Sequence, residues 1–158
     1  MSVYLKINEI KGSVPVRGYE GTIDIHHYHV VSSRSINEKS GIIQNRTAGL
    51  VKWSSLVLTK SVDKSSTGLL QHFYSAKVIP EMTLIHLSTG AVPERYLTNT
   101  FYNVLISRFE ESNHSDGVLE TVEMSFSRYE KRNMPLNEAM RATTPQTVGY
   151  DVEQAVLI

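Results

Sequence analysis

Three histidines crowd into four positions of the stretch Ile23–Val31, IDIHHYHVV: His26, His27 and His29. On a strand, residues two apart share a face, so His27 and His29 could present two imidazoles to one zinc ion. A complete site needs a third ligand, and His72, His86 and His114 are the scattered options. No HExxH pattern supplies a metal-binding helix with its own general base. A bulged strand carrying solvated or hydrogen-bonded histidines accounts for the pattern without a metal, and it is the favoured reading.

The other chemistry-bearing clusters read the same way. Asn113–Asp116, NHSD, sets histidine, serine and aspartate side by side, but a catalytic triad is assembled in space and sequence adjacency does not build one. A turn rich in hydrogen-bonding side chains explains it. The Lys64-Ser65 pair of DKSSTG lacks the preceding glycines of a phosphate loop and reads as a helix cap. Asn45-Arg46-Thr47 and Asn113-His114-Ser115 match the glycosylation acceptor pattern. Without a secretory signal neither is expected to be modified. Glu110, Glu111 and Asp116 form a solvated rim. The chain has no cysteine, which excludes disulfides, thiolate nucleophiles and cysteine-ligated zinc. These residues do not add up to an active site, and no cofactor or metal is expected.

The elements that would carry these residues are mainly strands. Val3, Leu5 and Ile7 alternate with polar residues, and KGSVPVRGYEG follows with Gly12, Pro15, Gly18 and Gly21. Ile23 and Ile25 share one face whereas Tyr28 and Val30 fall on the other, a phase change that predicts a bulge near His26 and His27. Residues 32–50 show no sustained period and read as a long extended loop. VKWSSLVLTK (51–60) returns to strand character. Leu69, Leu70, Phe73 and Ala76 then form a helical stripe, with cap oxygens at Asp63, Ser65 and Ser66 and with Pro80 barring continuation. That predicts one helix over about residues 65–76. EMTLIHL (81–87), RYLTNTFYNVLIS (95–107) and GVLETVEMSFSRYE (117–130) are strand candidates, EESNHSDG (110–117) a turn cluster, and a last strand is expected near 150–156. The expected fold is mostly β: a compact β-barrel of antiparallel strands with one flanking α-helix.

Several strands are apolar on both faces. Tyr102, Val104 and Ile106 oppose Phe101 and Leu105; Leu56 and Leu58 oppose Trp53 and Val57; Met82 and Leu84 oppose Ile85 and Leu87. Such strands need a cover on each side. Either the helix and long loop suffice, or a second subunit supplies the remainder.

With 158 residues, 41% of them apolar, the chain is expected to fold as one domain spanning 1–158. Sixteen basic residues balance sixteen acidic ones, so no overall field favours nucleic acid or an anionic membrane. Lys6, Glu9 and Lys11 interrupt the N-terminus where a secretory signal would need an apolar core. No apolar run approaches the ~18 residues of a membrane helix.

The order of segments resembles one family. VYLKINEIKG, YEGTIDI, VKWSSLVLTKSVDKSSTGLLQHFYSAKVIP, RYLTNTFYNVLIS, ETVEMSFSRYE and GYDVE follow one another as the corresponding pieces do in the haemolysin-coregulated protein (Hcp) family. Those proteins are the tube subunits of bacterial type VI secretion systems. On that match His27 and His29 occupy small polar strand positions. The resemblance implies a structural protein rather than an enzyme. It implies hexameric rings that stack into an expelled inner tube, effectors carried in the lumen, a spike protein at the tip and a contractile sheath outside. It further implies assembly in the bacterial cytoplasm and secretion without a signal peptide. For the ring-to-ring contact the expected residues are Arg34, Asn45 and Arg46 of the long loop; for the lateral contact they are Phe101 and Leu105. The alternatives are a monomeric barrel binding a small ligand and a histidine-dependent metalloenzyme.

Overall fold

Twenty consecutive residues, Arg95–His114, form one antiparallel strand, β8, around which the rest is arranged. The computed structural model describes residues 1–37 and 47–158. Among these, the strands before β8 are β1 (Ser2–Ile7), β2 (Ile23–Asp24), β3 (His27–His29), β4 (Ser32–Asn37), β5 (Thr47–Trp53), β6 (Leu56–Ser61) and β7 (Ile79–Leu87), with one helix, α1 (Ser66–Ser75). After it come β9 (Gly117–Ser125), β10 (Arg128–Asn133), β11 (Gln146–Asp151) and β12 (Val156–Leu157). The mostly-β, antiparallel expectation holds.

Strand β8 serves two walls because its phase changes part-way. Phe101 is buried, and so are Val104 and Ile106. A regular strand would place Phe101 on the face opposite Val104 and Ile106. The switch occurs at Asn103, whose φ of 51° is left-handed, a conformation asparagine tolerates better than most residues. Residues up to Tyr102 pair with β7 on one side and β10 on the other, Val104 still pairs with Ile79 of β7, and residues from Leu105 on pair with β9. The partner strand breaks at the same level. The stretch 117–130, expected as one strand, is β9 and β10 separated at Phe126 and Ser127, and Asn103 Nδ2 donates to Ser127 Oγ at 2.9 Å.

The barrel circuit runs β7–β8–β9–β6–β3 along backbone ladders, and β2–β1–β7 from the other end. Among the described residues the free ends of these two arcs, β3 and β2, are not joined by a ladder. The chain itself joins them: Ile25 N–H bonds Val3 O at 3.0 Å on one wall, and the next residue, His26, bonds Thr59 O at 2.9 Å on the other. The phase change expected as a bulge near His26 is this crossing. Inside, Leu5, Ile7, Ile23, Leu56, Leu58, Leu84, Phe101, Val104, Val122 and Met124 fill the space.

The cover on the outer face of β7 comes from neither source expected. Ile85 and Leu87 pack with Tyr4, Val14, Val16 and Tyr19, so the segment between β1 and β2 shelters them. That segment is pinned by Gly12 N–H to Gly21 O at 2.8 Å and Gly21 N–H to Val14 O at 3.0 Å. Gly12 lies so close to the chain it meets that a Cβ there would stand 2.3 Å from Thr22 O. The glycine is demanded by that approach.

Three further expectations are corrected. The supposed loop 32–50 contributes two paired strands, β4 and β5, an antiparallel ribbon with a bulge between Arg34 and Ile36. Its sequence hid this because the ribbon stands away from the core, leaving Ile36 and Leu50 exposed and the alternation without a buried side. The turn cluster 110–117 is strand down to a two-residue turn, with His114 paired to Gly117. Helix α1, Ser66–Ser75, lies where it was expected, but Pro80 does not end it: Ala76 adopts φ 53°, its N–H and that of Lys77 close on Phe73 O and His72 O, and Pro80 already lies within β7. Of the helical stripe, Leu69 is fully buried while Ala76 is exposed.

Candidate functional site

The histidines do not converge. His26 Nε2 is 3.0 Å from Ser61 Oγ, His72 Nδ1 bonds Gly68 O, His86 Nε2 meets Tyr28 Oη, and His114 Nε2 meets Ser112 Oγ. The rings of His27 and His29 share a face with centroids 6.1 Å apart. Among the described residues no group of three His, Asp or Glu side chains gathers to hold a metal ion. Ser115 and Asp116 form the turn of the β8–β9 hairpin beyond His114, and the histidine's partner is Ser112, not its serine or aspartate neighbour.

The buried charges are elsewhere, and sequence reasoning passed over them. Lys60 Nζ donates to Glu120 Oε1 at 2.6 Å and to Ser66 Oγ at 3.2 Å, and pairs with Asp63 Oδ1 at 3.1 Å. Ser66 Oγ in turn donates to Glu120 Oε1 at 2.6 Å. The Lys60 and Glu120 side chains are 0% and 3% exposed. This cluster ties the end of β6 to β9 and to the first turn of α1. Phase was the available signal: Lys60 shares a face with Leu56 and Leu58, and Glu120 with Val122 and Met124. A charge in step with core residues must be paired. The arrangement holds β6, β9 and α1 together.

A second polar chain crosses the opposite part of the interior. Tyr129 Oη donates to Asn99 Oδ1 at 2.9 Å, and Asn99 Nδ2 donates to Tyr28 Oη at 3.1 Å. Tyr28 Oη lies 2.7 Å from His86 Nε2. Burial pushes the Tyr129 phenol up to about 12, with Tyr28 alongside adding to it. Burial also raises Tyr28, against the opposing pull of the Asn99 bond.

The expected interface residues fall in unlike places. Arg34 is exposed on β4, opposite Val51. Asn45 and Arg46 lie outside the described residues. The ribbon that carries Arg34 is rooted through Trp53, whose ring sits 4.9 Å from that of Tyr129, 5.6 Å from Phe126 and 6.2 Å from Tyr150. Two bonds close the root: Ser54 N–H to Val31 O at 2.7 Å, and Val31 N–H to the Ser54 side-chain Oγ at 2.8 Å. Phe101, expected at a lateral contact, is 0% exposed and stacked against Phe126 and Tyr129 at 5.0 and 5.2 Å. It has no surface left for a neighbour. The left-handed turn at Asn103, invisible to simple alternation, puts Phe101 inside. Leu105 is 36% exposed. Sequence reasoning missed a further apolar edge, formed by exposed Val148, Val156, Leu157 and Ile158 at the end of the sheet.

Residues 4–132 match the family of the type VI secretion system effector, Hcp. The chain belongs to the Hcp family. Solved structures agree on the fold over almost the full length. A type six secretion system protein superposes with a TM-score of 0.92 at 17% identity, covering 99% of each chain. Hcp1 from Salmonella typhimurium superposes with a TM-score of 0.80 at 22% identity, covering 99% of this chain and 98% of that one. A chain of the anti-feeding prophage baseplate, from a six-fold symmetrised electron cryo-microscopy structure, gives a TM-score of 0.53 at 15% identity, covering 82% of this chain and 90% of that one. A comparison with curated protein sequences gave no match. Membership in the Hcp family makes this a type VI secretion tube protein, in the position the segment order implied. Among the described residues no helix is long and apolar enough to cross a membrane.

Proposed function

We propose that this chain, folded as one domain over residues 1–158, closes head-to-tail into hexameric rings that stack as the inner tube of a type VI secretion system. The observation that carries the reading is the family match over residues 4–132. A ring built from unlike patches closes when the rotation between copies permits, and otherwise runs on as a filament. Two features of the surface support such contacts. Leu105 and the Val148–Ile158 edge leave apolar side chains exposed on the sheet, and the β4–β5 ribbon projects Arg34, Ile36 and Leu50 into solvent. Leu105 is assigned to the lateral contact, and the ribbon, with Arg34 and the expected Asn45 and Arg46, to the contact between rings.

The role is structural and requires no reaction. Rings assemble in the bacterial cytoplasm, a spike protein caps the tip, a contractile sheath drives the tube out, and effectors travel in the lumen. The balanced charge of sixteen basic and sixteen acidic residues limits repulsion among many identical stacked copies. A small-ligand barrel has no support, because side chains fill the interior. Nor does a metalloenzyme, for want of converging ligands among the described residues. Negative-stain electron microscopy of the purified protein is the test. Six-fold rings, with tubes at high concentration, are the expected images; monomers at every concentration by size-exclusion chromatography would overturn the proposal.

A further inference from the structure

We propose that the hydrogen bond between Tyr28 and His86 is an acid-sensitive clasp across the seam where the barrel lacks a backbone ladder. Strand β3 pairs with β6 along one edge through only three residues, His27, Tyr28 and His29, and among the described strands no ladder occupies its other edge. What ties β3 to the facing wall is the Tyr28 hydroxyl, which reaches His86 on β7 and Asn99 on β8.

The bonds have a direction. Tyr129 Oη donates to Asn99 Oδ1, which orients the amide so that its Nδ2 donates to Tyr28 Oη. The hydroxyl proton of Tyr28 therefore goes to His86 Nε2, and His86 is the neutral tautomer with its proton on Nδ1. Protonating Nε2 turns the acceptor into a donor. The Tyr28 oxygen then faces two N–H groups, and its own hydrogen loses its acceptor.

The surroundings oppose the charge as well. His86 is half-buried. The titratable and charged groups facing it are Tyr28 from β3, Tyr96 from β8, its ring 5.9 Å away, and the Lys131 ammonium from β10. Strand β1 places apolar Val3 opposite it. No carboxylate is among these facing groups. Burial, and secondarily Lys131, hold the imidazole below the ordinary value of 6.5. The unfolded chain consequently takes up this proton first as pH falls. The stability from neutral His86 is complete above about 6.5 and is lost as the pH drops through the folded value.

Two measurements on the full chain decide the matter. Thermal unfolding at about pH 7.5 and about pH 5 is expected to show wild type losing about 3 °C more on acidification than His86→Gln does. Histidine C2–H deuterium exchange, read by mass spectrometry, gives each ring's own titration. His86 is expected below the ordinary value of 6.5, and Tyr28→Phe is expected to move it upward, since the lost bond favoured the neutral ring. Parallel melting curves for wild type and His86→Gln overturn the proposal. So does a His86 titration that Tyr28→Phe leaves in place, and that result stands even where His86→Gln fails to fold.

Discussion

The Lys60 ammonium and the Glu120 carboxylate meet at 2.6 Å with essentially no solvent around either. Asp63 and Ser66 complete the partners of the lysine. Removing one member strands the other in the interior, which costs about 3–5 kcal/mol for a buried pair. Glu120→Ala is expected to lower the melting temperature by roughly 10 °C. Replacing both, Lys60→Met with Glu120→Leu, is expected to restore much of that loss, because neither charge then has to be desolvated. Differential scanning calorimetry of Glu120→Ala, and of Lys60→Met, Glu120→Leu and the double variant, tests this. Additive losses would show the pair to be uncoupled.

Asn103 holds the level at which β8 changes phase and β9 gives way to β10. Its left-handed backbone disfavours a β-branched side chain by about 1–3 kcal/mol. Asn103→Val is expected to be clearly less stable than Asn103→Gly, which keeps the conformation and loses only the bond to Ser127. Chemical denaturation of both variants provides the comparison, and equal midpoints would remove strain as the explanation.

Leu105 and Phe101 separate assembly from folding. Leu105 is partly exposed and Phe101 is wholly buried. Leu105→Asp is expected to leave circular dichroism unchanged while abolishing rings by light scattering, since a charge placed in an apolar contact has no partner. Phe101→Asp is expected to abolish the folded signal itself. Intact rings in Leu105→Asp would move the lateral contact elsewhere, and the Val148–Ile158 edge is the next surface to substitute.

Much of the barrel could be read from alternation because its strands bury one face against a common core. Val3, Leu5 and Ile7 announce β1, and Val122 and Met124 announce β9. Alternation is silent where something else governs. The β4–β5 ribbon has no core beneath it, so pairing there left no apolar signature. Asn103 reverses the phase of β8 through one backbone angle, which is how Phe101 was assigned outward. Cover for Ile85 and Leu87 came from a loop whose fit depends on a contact at Gly12 between residues ten apart in sequence. For the functional residues, the order of segments was more informative than any cluster. The histidines drew attention by their density and proved to be separate, whereas Lys60 and Glu120 were visible only as charges in step with leucines and valines.

Because β8 runs from the β7 and β10 wall into the β9 hairpin, through the left-handed turn at Asn103 and the register shift between Ile106 and Arg108, one covalent segment belongs to both walls of the molecule. Drawing the β8–β9 hairpin out of place therefore drags on the same length of backbone that β7 and β10 flank.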